Sequence, residues 1–145
     1  MESKLVHEAA GQRTFVAVLE TGDEVMACLE DISRAEGLSA AQITGIGAFS
    51  DAVLAYFDWN AKEYREIPVA EQVEVASLIG DIGVDGENKP VVHVHLVLGH
   101  RDGRATAGHL LRAHVRPTLE LVITESPAHL CRRKDPASGL NLIRF

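Results

Sequence analysis

Apolar runs of strand length recur along almost the whole chain, and only one segment carries its apolar residues at helical spacing. Residues 13–19 are apolar on both faces and rich enough in β-branched side chains to form a central strand. Residues 42–49 and 52–58 read as two strands around a Ser50-Asp51 turn, and the glycines at 45 and 47 mark a bulge or a close backbone approach. Residues 59–62 turn the chain into a strand at 63–67 that Pro68 closes, and two strongly apolar strands follow at 73–80 and 91–98. Between those two lies the most loop-like stretch, residues 83–90. Arg101-Asp102-Gly103-Arg104 reads as a tight turn, 119–124 as a strand, and 130–133 with 140–144 as weaker closing strands around a turn at 136–139. The exception follows Thr21, where Val25, Cys28, Leu29 and Ile32 fall at i, i+3, i+4 and i+7 and give one apolar stripe. Thr21 stands three residues before Glu24 as in a capping box, and Gly37 is placed to end the helix. Six or more strands with one helix predict an α+β fold, a mostly antiparallel β-sheet with one long helix packed on it.

The chain has 145 residues, 46% of them apolar, enough for one core; a single domain over 1–145 is expected, with its body at about 13–124 and closing strands at 125–145. No apolar run approaches the roughly 20 residues of a membrane span, and no charged stretch followed by an apolar one opens the chain. Cys28 and Cys131 form neither a C-x-x-C motif nor a dense disulfide pattern, so a reducing cytoplasm is the expected compartment. The formal charge of −7 opposes general attraction to nucleic acid, but it is unevenly placed. Residues 1–90 carry 6 basic and 17 acidic side chains, residues 91–145 carry 8 and 4. Arginine forks suit carboxylates and phosphates, which makes Arg65, Arg101, Arg104, Arg112 and Arg116 the candidate anion or nucleic-acid contacts.

Seven histidines are present, and His93-Val94-His95 is the informative pair. Side chains alternate along a strand, so His93 and His95 project to one side with attachment points about 6.6 Å apart, two strand rises. Two imidazoles at that spacing can tilt onto one ion, and a third ligand must come from elsewhere. His109 is the best donor, because Gly108 precedes it and the intervening residues suffice for the chain to turn and return beside the strand; His100 and His114 are the lesser alternatives. The competing reading is that these histidines only hydrogen-bond to their neighbours.

Glu74 and Glu120 are carboxylates in otherwise apolar strands. If Glu74 faces the histidines, it would anchor one of them or serve as a general base. Nucleophilic catalysis has little support: no G-x-S-x-G elbow is present, Cys28 lies on an apolar helix face, and Gly45-Ile46-Gly47 lacks the rest of a dinucleotide-binding loop.

Five segments in order, Gly45-Ile46-Gly47-Ala48, Val73-Glu74-Val75-Ala76-Ser77-Leu78-Ile79-Gly80, Val92-His93-Val94-His95-Leu96, Ala107-Gly108-His109-Leu110 and Thr118-Leu119-Glu120-Leu121-Val122-Ile123, resemble the PPC domain, the domain conserved between plants and prokaryotes. The resemblance implies an antiparallel-rich sheet with a packed helix and assembly into homotrimers. It also implies that His93, His95 and His109 cluster in a pocket near the subunit interface, where some members look metal-bound. Ala107 departs from the family, which often has a second glycine there. In plants the domain follows AT-hook segments and acts in transcription, and bacterial stand-alone members carry the label of DNA-binding proteins. Nothing here matches the hook, since its nearest counterpart, Arg101 to Arg104, includes an acid.

The expectation is therefore a homotrimeric PPC-domain protein of the DNA-binding or transcription-associated family, with a histidine pocket able to take zinc or another divalent metal; whether it is an enzyme stays open. The alternative is a zinc-dependent small-molecule-binding protein or enzyme using His93, His95 and His109.

Overall fold

The computed structural model describes residues 1–128 and 130–144. The strands are β1 (Glu2–Ala9), β2 (Gln12–Glu20), β3 (Ala41–Asp58), β4 (Glu63–Val69), β5 (Val73–Val84), β6 (Pro90–Gly99), β7 (Ala105–Glu125), β8 (Arg132–Lys134) and β9 (Asn141–Ile143), with one helix, α1 (Val25–Ala35), between β2 and β3. β1 to β7 form one antiparallel sheet in the order β1-β2-β7-β6-β5-β3-β4, and β8 and β9 form a separate two-stranded sheet. β3 also pairs with β7, so ladders close a circuit through β3, β5, β6 and β7 and leave those four strands without a free edge along their paired stretches. No described helix is long and apolar enough to cross a membrane.

The expected α+β architecture is present. β3 corrects the sequence reading: the two strands expected around Ser50 and Asp51 are one 18-residue strand. Ser50 and Asp51 need no turn, because Ser50 Oγ donates to Asp51 Oδ2 at 2.8 Å while Asp51 Oδ1 meets His114 Nδ1 across the ladder at 2.9 Å. Register shifts between 47 and 49, 49 and 51, and 53 and 54 absorb the bend instead. Similarly, residues 119–124 are the end of a 21-residue strand, and β4 continues through Pro68 to Val69. The close approach expected at Gly45 and Gly47 is real, since a Cβ on Gly47 would lie 2.3 Å from the Thr118 carbonyl oxygen.

Val25, Leu29 and Ile32 of the helical stripe are buried and Cys28 is partly so. They seal a core that includes Phe15, Phe49, Leu54, Leu98 and Leu119. The helix start differs from expectation: Glu24 is the cap, accepting from the amides of Met26 and Ala27, while Thr21 turns away to donate to the Pro117 carbonyl. The inner face of the sheet is thus used up by core and helix, and what remains for function is the outer face and its rims.

Candidate metal centre

β6 buries Val94, Leu96 and Leu98, which turns His93 and His95 to the outer face. His109 on β7 is the register partner of His95, and His93 is the register partner of Asp81 on β5. Two antiparallel ladders therefore bring three imidazoles and a carboxylate together with little help from loops. Gly108 contributes by absence of a side chain more than by flexibility: a Cβ there would lie 2.8 Å from the Ala55 oxygen and 3.2 Å from Leu54 Cβ, so the glycine lets β7 lie close against β3.

One ligand atom from each of His93, His95 and His109 lies within 4.8 Å of the others. The Nε2 atoms of His93 and His95 face each other at 3.3 Å. Asp81 Oδ2 is 3.5 Å from His93 Nδ1, and its other oxygen pairs with the guanidinium of Arg132. Arg132 is only 6% exposed; it also donates to the Asn141 carbonyl at 2.8 Å, which ties the β8–β9 hairpin to β5. Tyr64 stacks on His109 with ring centroids 4.9 Å apart.

The electrostatics favour neutral imidazoles at His95 and His109. Burial, with His93, His95 and Arg132 as nearby positive groups, pushes His109 down to about 4. His95 is held below the ordinary imidazole value by partial desolvation and by His93. Burial works against an ionised Asp81, but the hydrogen bonds of His93 and Arg132 outweigh it and hold its carboxyl below the usual range.

Three neutral imidazoles are a donor set that suits zinc and related divalent ions. His109 Nδ1 is buried without a hydrogen-bond partner among the described residues, a cost of about 1–3 kcal/mol for a group left unpaired. Two nitrogens each 2.0–2.1 Å from one tetrahedral ion stand about 3.3–3.4 Å apart. His93 and His95 already have that spacing, so the residues fit a metal.

Other residues singled out in the sequence lie elsewhere. Glu74 is opposite Ala48 and Gly99, six residues along β6 from the partner of Asp81 and so about 20 Å away; it does not line the histidine cavity. Glu120 is exposed on β7. His100 binds Glu71 and Thr106, and His114 binds Asp51. Arg65 pairs with Asp58 and Arg104 with Asp102; Arg101 and Arg104 sit at the β6–β7 turn, and Arg112 and Arg116 are exposed along β7. These five arginines are spread over several elements. Asp81 and Arg132 are the site residues the sequence reading missed. The signal for Asp81 was available, a carboxylate in an apolar strand immediately after the 73–80 stretch that holds Glu74.

Comparison with known proteins finds relatives over nearly the whole chain. A PPC protein from Pyrococcus horikoshii is 30% identical with a TM-score of 0.85, over 92% of each chain. A metal-containing protein from Archaeoglobus fulgidus is 30% identical with a TM-score of 0.84, over 99% of this chain and 97% of its own. A protein from Bacteroides thetaiotaomicron named a "putative dna binding protein" is 27% identical with a TM-score of 0.86, over 96% and 95%. Among curated proteins, the bifunctional protein GlmU of a Synechococcus strain is 29% identical over 130 residues, and the match spans only 20% of that protein's length. Residues 6–127 match the model of the Plants and Prokaryotes Conserved (PCC) domain, and the chain belongs to that family.

Proposed function

We propose that the chain is a metal-dependent ligand-binding protein in which His93, His95 and His109 hold one divalent ion, with zinc the best match to the donors. The 3.3 Å separation of the His93 and His95 Nε2 atoms, with the third imidazole converging on them, carries this reading. The metal-containing relative from Archaeoglobus supports it. When bound, the ion supplies a Lewis acid for an oxygen ligand from the cavity. Asp81 orients His93 through Nδ1, Arg132 holds Asp81 ionised, and Tyr64 fixes the plane of the His109 ring. Glu74 is too remote to act as a base here, so the reading is one of binding. Mass-spectrometric metal analysis of tag-free protein tests it: about one ion per chain is expected, lost in His93→Ala and His109→Ala. No metal, and no uptake on titration with zinc, refutes it.

A second reading concerns assembly, and a specific observation favours it. Val16, Val122, Thr44, Ile79, His95 and His109 are successive register partners across the outer face. Beside the histidines this face exposes Ile46 at 62%, Ile79 at 57% and Val122 at 44%, an apolar surface that further copies of the chain would cover. It supports the homotrimer that the family implies, with the metal centre at its margin. Native mass spectrometry should find a trimer that Ile79→Lys dissociates; a monomeric wild-type chain refutes this reading. Direct DNA contact has weaker support, resting on the name of the Bacteroides relative against a formal charge of −7. Titration of A·T-rich and mixed duplexes at two salt concentrations decides it, and no shift at low salt removes it.

A further inference from the structure

The cavity over the three histidines has a volume of about 790 Å³, in the range that holds a small organic ligand. Three imidazoles and Arg132 line it, and no aspartate or glutamate does, although acidic residues outnumber basic ones 21 to 14 in the chain. The charge of Arg132 is matched by Asp81. Three neutral imidazoles leave the charge of a divalent ion uncompensated, which selects an anionic oxygen ligand.

The anion is more consistent with a carboxylate than with a phosphate. Phosphates are gripped by several free N–H donors, from a helix N-terminus, a glycine-rich loop or an unengaged arginine fork. The lining contains no residue of α1, and the one guanidinium in it gives both terminal nitrogens to the Asn141 carbonyl, Asp81 and His93 Nδ1, leaving a single buried N–H, at Nε, without a partner among the described residues and so no open fork for a phosphate. The rest of the wall is apolar and aromatic. Tyr56 is 66% exposed on β3 and has no aromatic partner among the described residues, Tyr64 stacks on His109, and the β8–β9 hairpin contributes Leu140 and Leu142. A ring left open to water beside a charged centre suits a ligand with a charged head and a flat apolar body.

We propose that the cavity binds a small monocarboxylate with an aryl or similarly flat apolar body, its carboxylate at the three-histidine end and its body along Tyr56, Tyr64 and Leu142. The inference rests on the metal-centre reading above.

Calorimetric titration with 3-phenylpropionate, its neutral amide and acetate tests it, on protein first assayed for zinc. On zinc-loaded protein the aryl acid should bind at least tenfold tighter than either the amide or acetate. Tyr56→Ser and Leu142→Ser should each weaken the aryl acid severalfold while leaving acetate affinity and zinc content unchanged. Equal affinity for acid and amide, or for aryl acid and acetate, on protein holding one zinc per chain overturns the proposal while the metal centre stands. If the chain takes up no zinc, the metal-centre reading falls, and the ligand proposal falls with it, because Arg132 is already matched by Asp81 and no uncompensated charge then selects acid over amide.

Discussion

His95 and His109 stand directly opposite each other in the β6–β7 ladder, so backbone register alone puts two of the three imidazoles side by side. The pair holds only if β7 can also lie against β3, and Gly108 is the residue that allows it. Gly108→Ala would force its new methyl against the Ala55 oxygen and Leu54, where backbone cannot yield as a flexible side chain does. The expected cost is about 1–3 kcal/mol of stability, with His109 displaced and zinc affinity reduced at least tenfold. Urea unfolding and a zinc titration check both; unchanged zinc affinity in a destabilised variant would uncouple the glycine from the site.

Asp81 joins that ladder to the chain's C-terminal hairpin, because one carboxylate serves both His93 and Arg132. Asp81→Asn removes the negative charge, leaves a nearly buried arginine uncompensated and loosens the orientation of His93. Zinc affinity should fall by about 10–100-fold. Competition with a chromophoric chelator measures it. His100→Gln, at a histidine bonded to Glu71 and Thr106 away from the cluster, is the matched control and should leave the affinity unchanged.

What could be read from the sequence follows the range of the interactions involved. The facing of His93 and His95 is a consequence of strand periodicity, and Val94 between them is buried as that period requires. His109 was reachable because it returns on the next strand. Arg132 was not: its approach to Asp81 depends on the parallel bridge between Val84 and Cys131, which no local pattern encodes. β1 also escaped, since all eight of its residues are exposed and no buried face imposes an alternation. The continuity of β3 was hidden by Ser50 and Asp51, whose turn-like identities are satisfied across the ladder through His114. Glu74 was a candidate only on condition that it face the histidines, and its place along the strand, opposite Gly99 and not His93, decides against it.

The pH dependence of the metal-free protein should carry the mark of His109. Burial and its cationic neighbours lower this imidazole from 6.5 to about 4, so the folded state prefers it neutral. The unfolded chain then binds the extra proton first as pH falls. The associated stability is present in full above about pH 6.5 and is lost progressively as pH falls toward about 4. Thermal melting of metal-stripped protein should therefore rise by a few degrees over that interval. His109→Gln should flatten the rise, while Asp81, whose carboxyl lies below 3.8, acts only at lower pH. An identical slope in wild type and variant would show that His109 is solvated like an ordinary surface histidine.

The hairpin wall supplies the last test. Gly83 in β5 carries the contact that seats it: the Val84 amide donates to the Leu130 carbonyl at 2.8 Å, and a Cβ on Gly83 would lie 2.6 Å from that same oxygen. Gly83→Ala should lift the segment carrying β8 and β9, drawing Arg132 away from Asp81 and Leu140 and Leu142 away from the cavity. Ile82 and Val84 stay within the core, so the main sheet should lose only about 1–2 kcal/mol. Limited trypsin digestion should then cut at Arg132, Arg133 or Lys134 much faster than in the wild type, with the remaining sheet resistant. Zinc should still bind, because the three histidines stand on β6 and β7, whereas the affinity for 3-phenylpropionate should fall towards that for acetate. Retention of full aryl-acid affinity in this variant would place the ligand's body away from the hairpin.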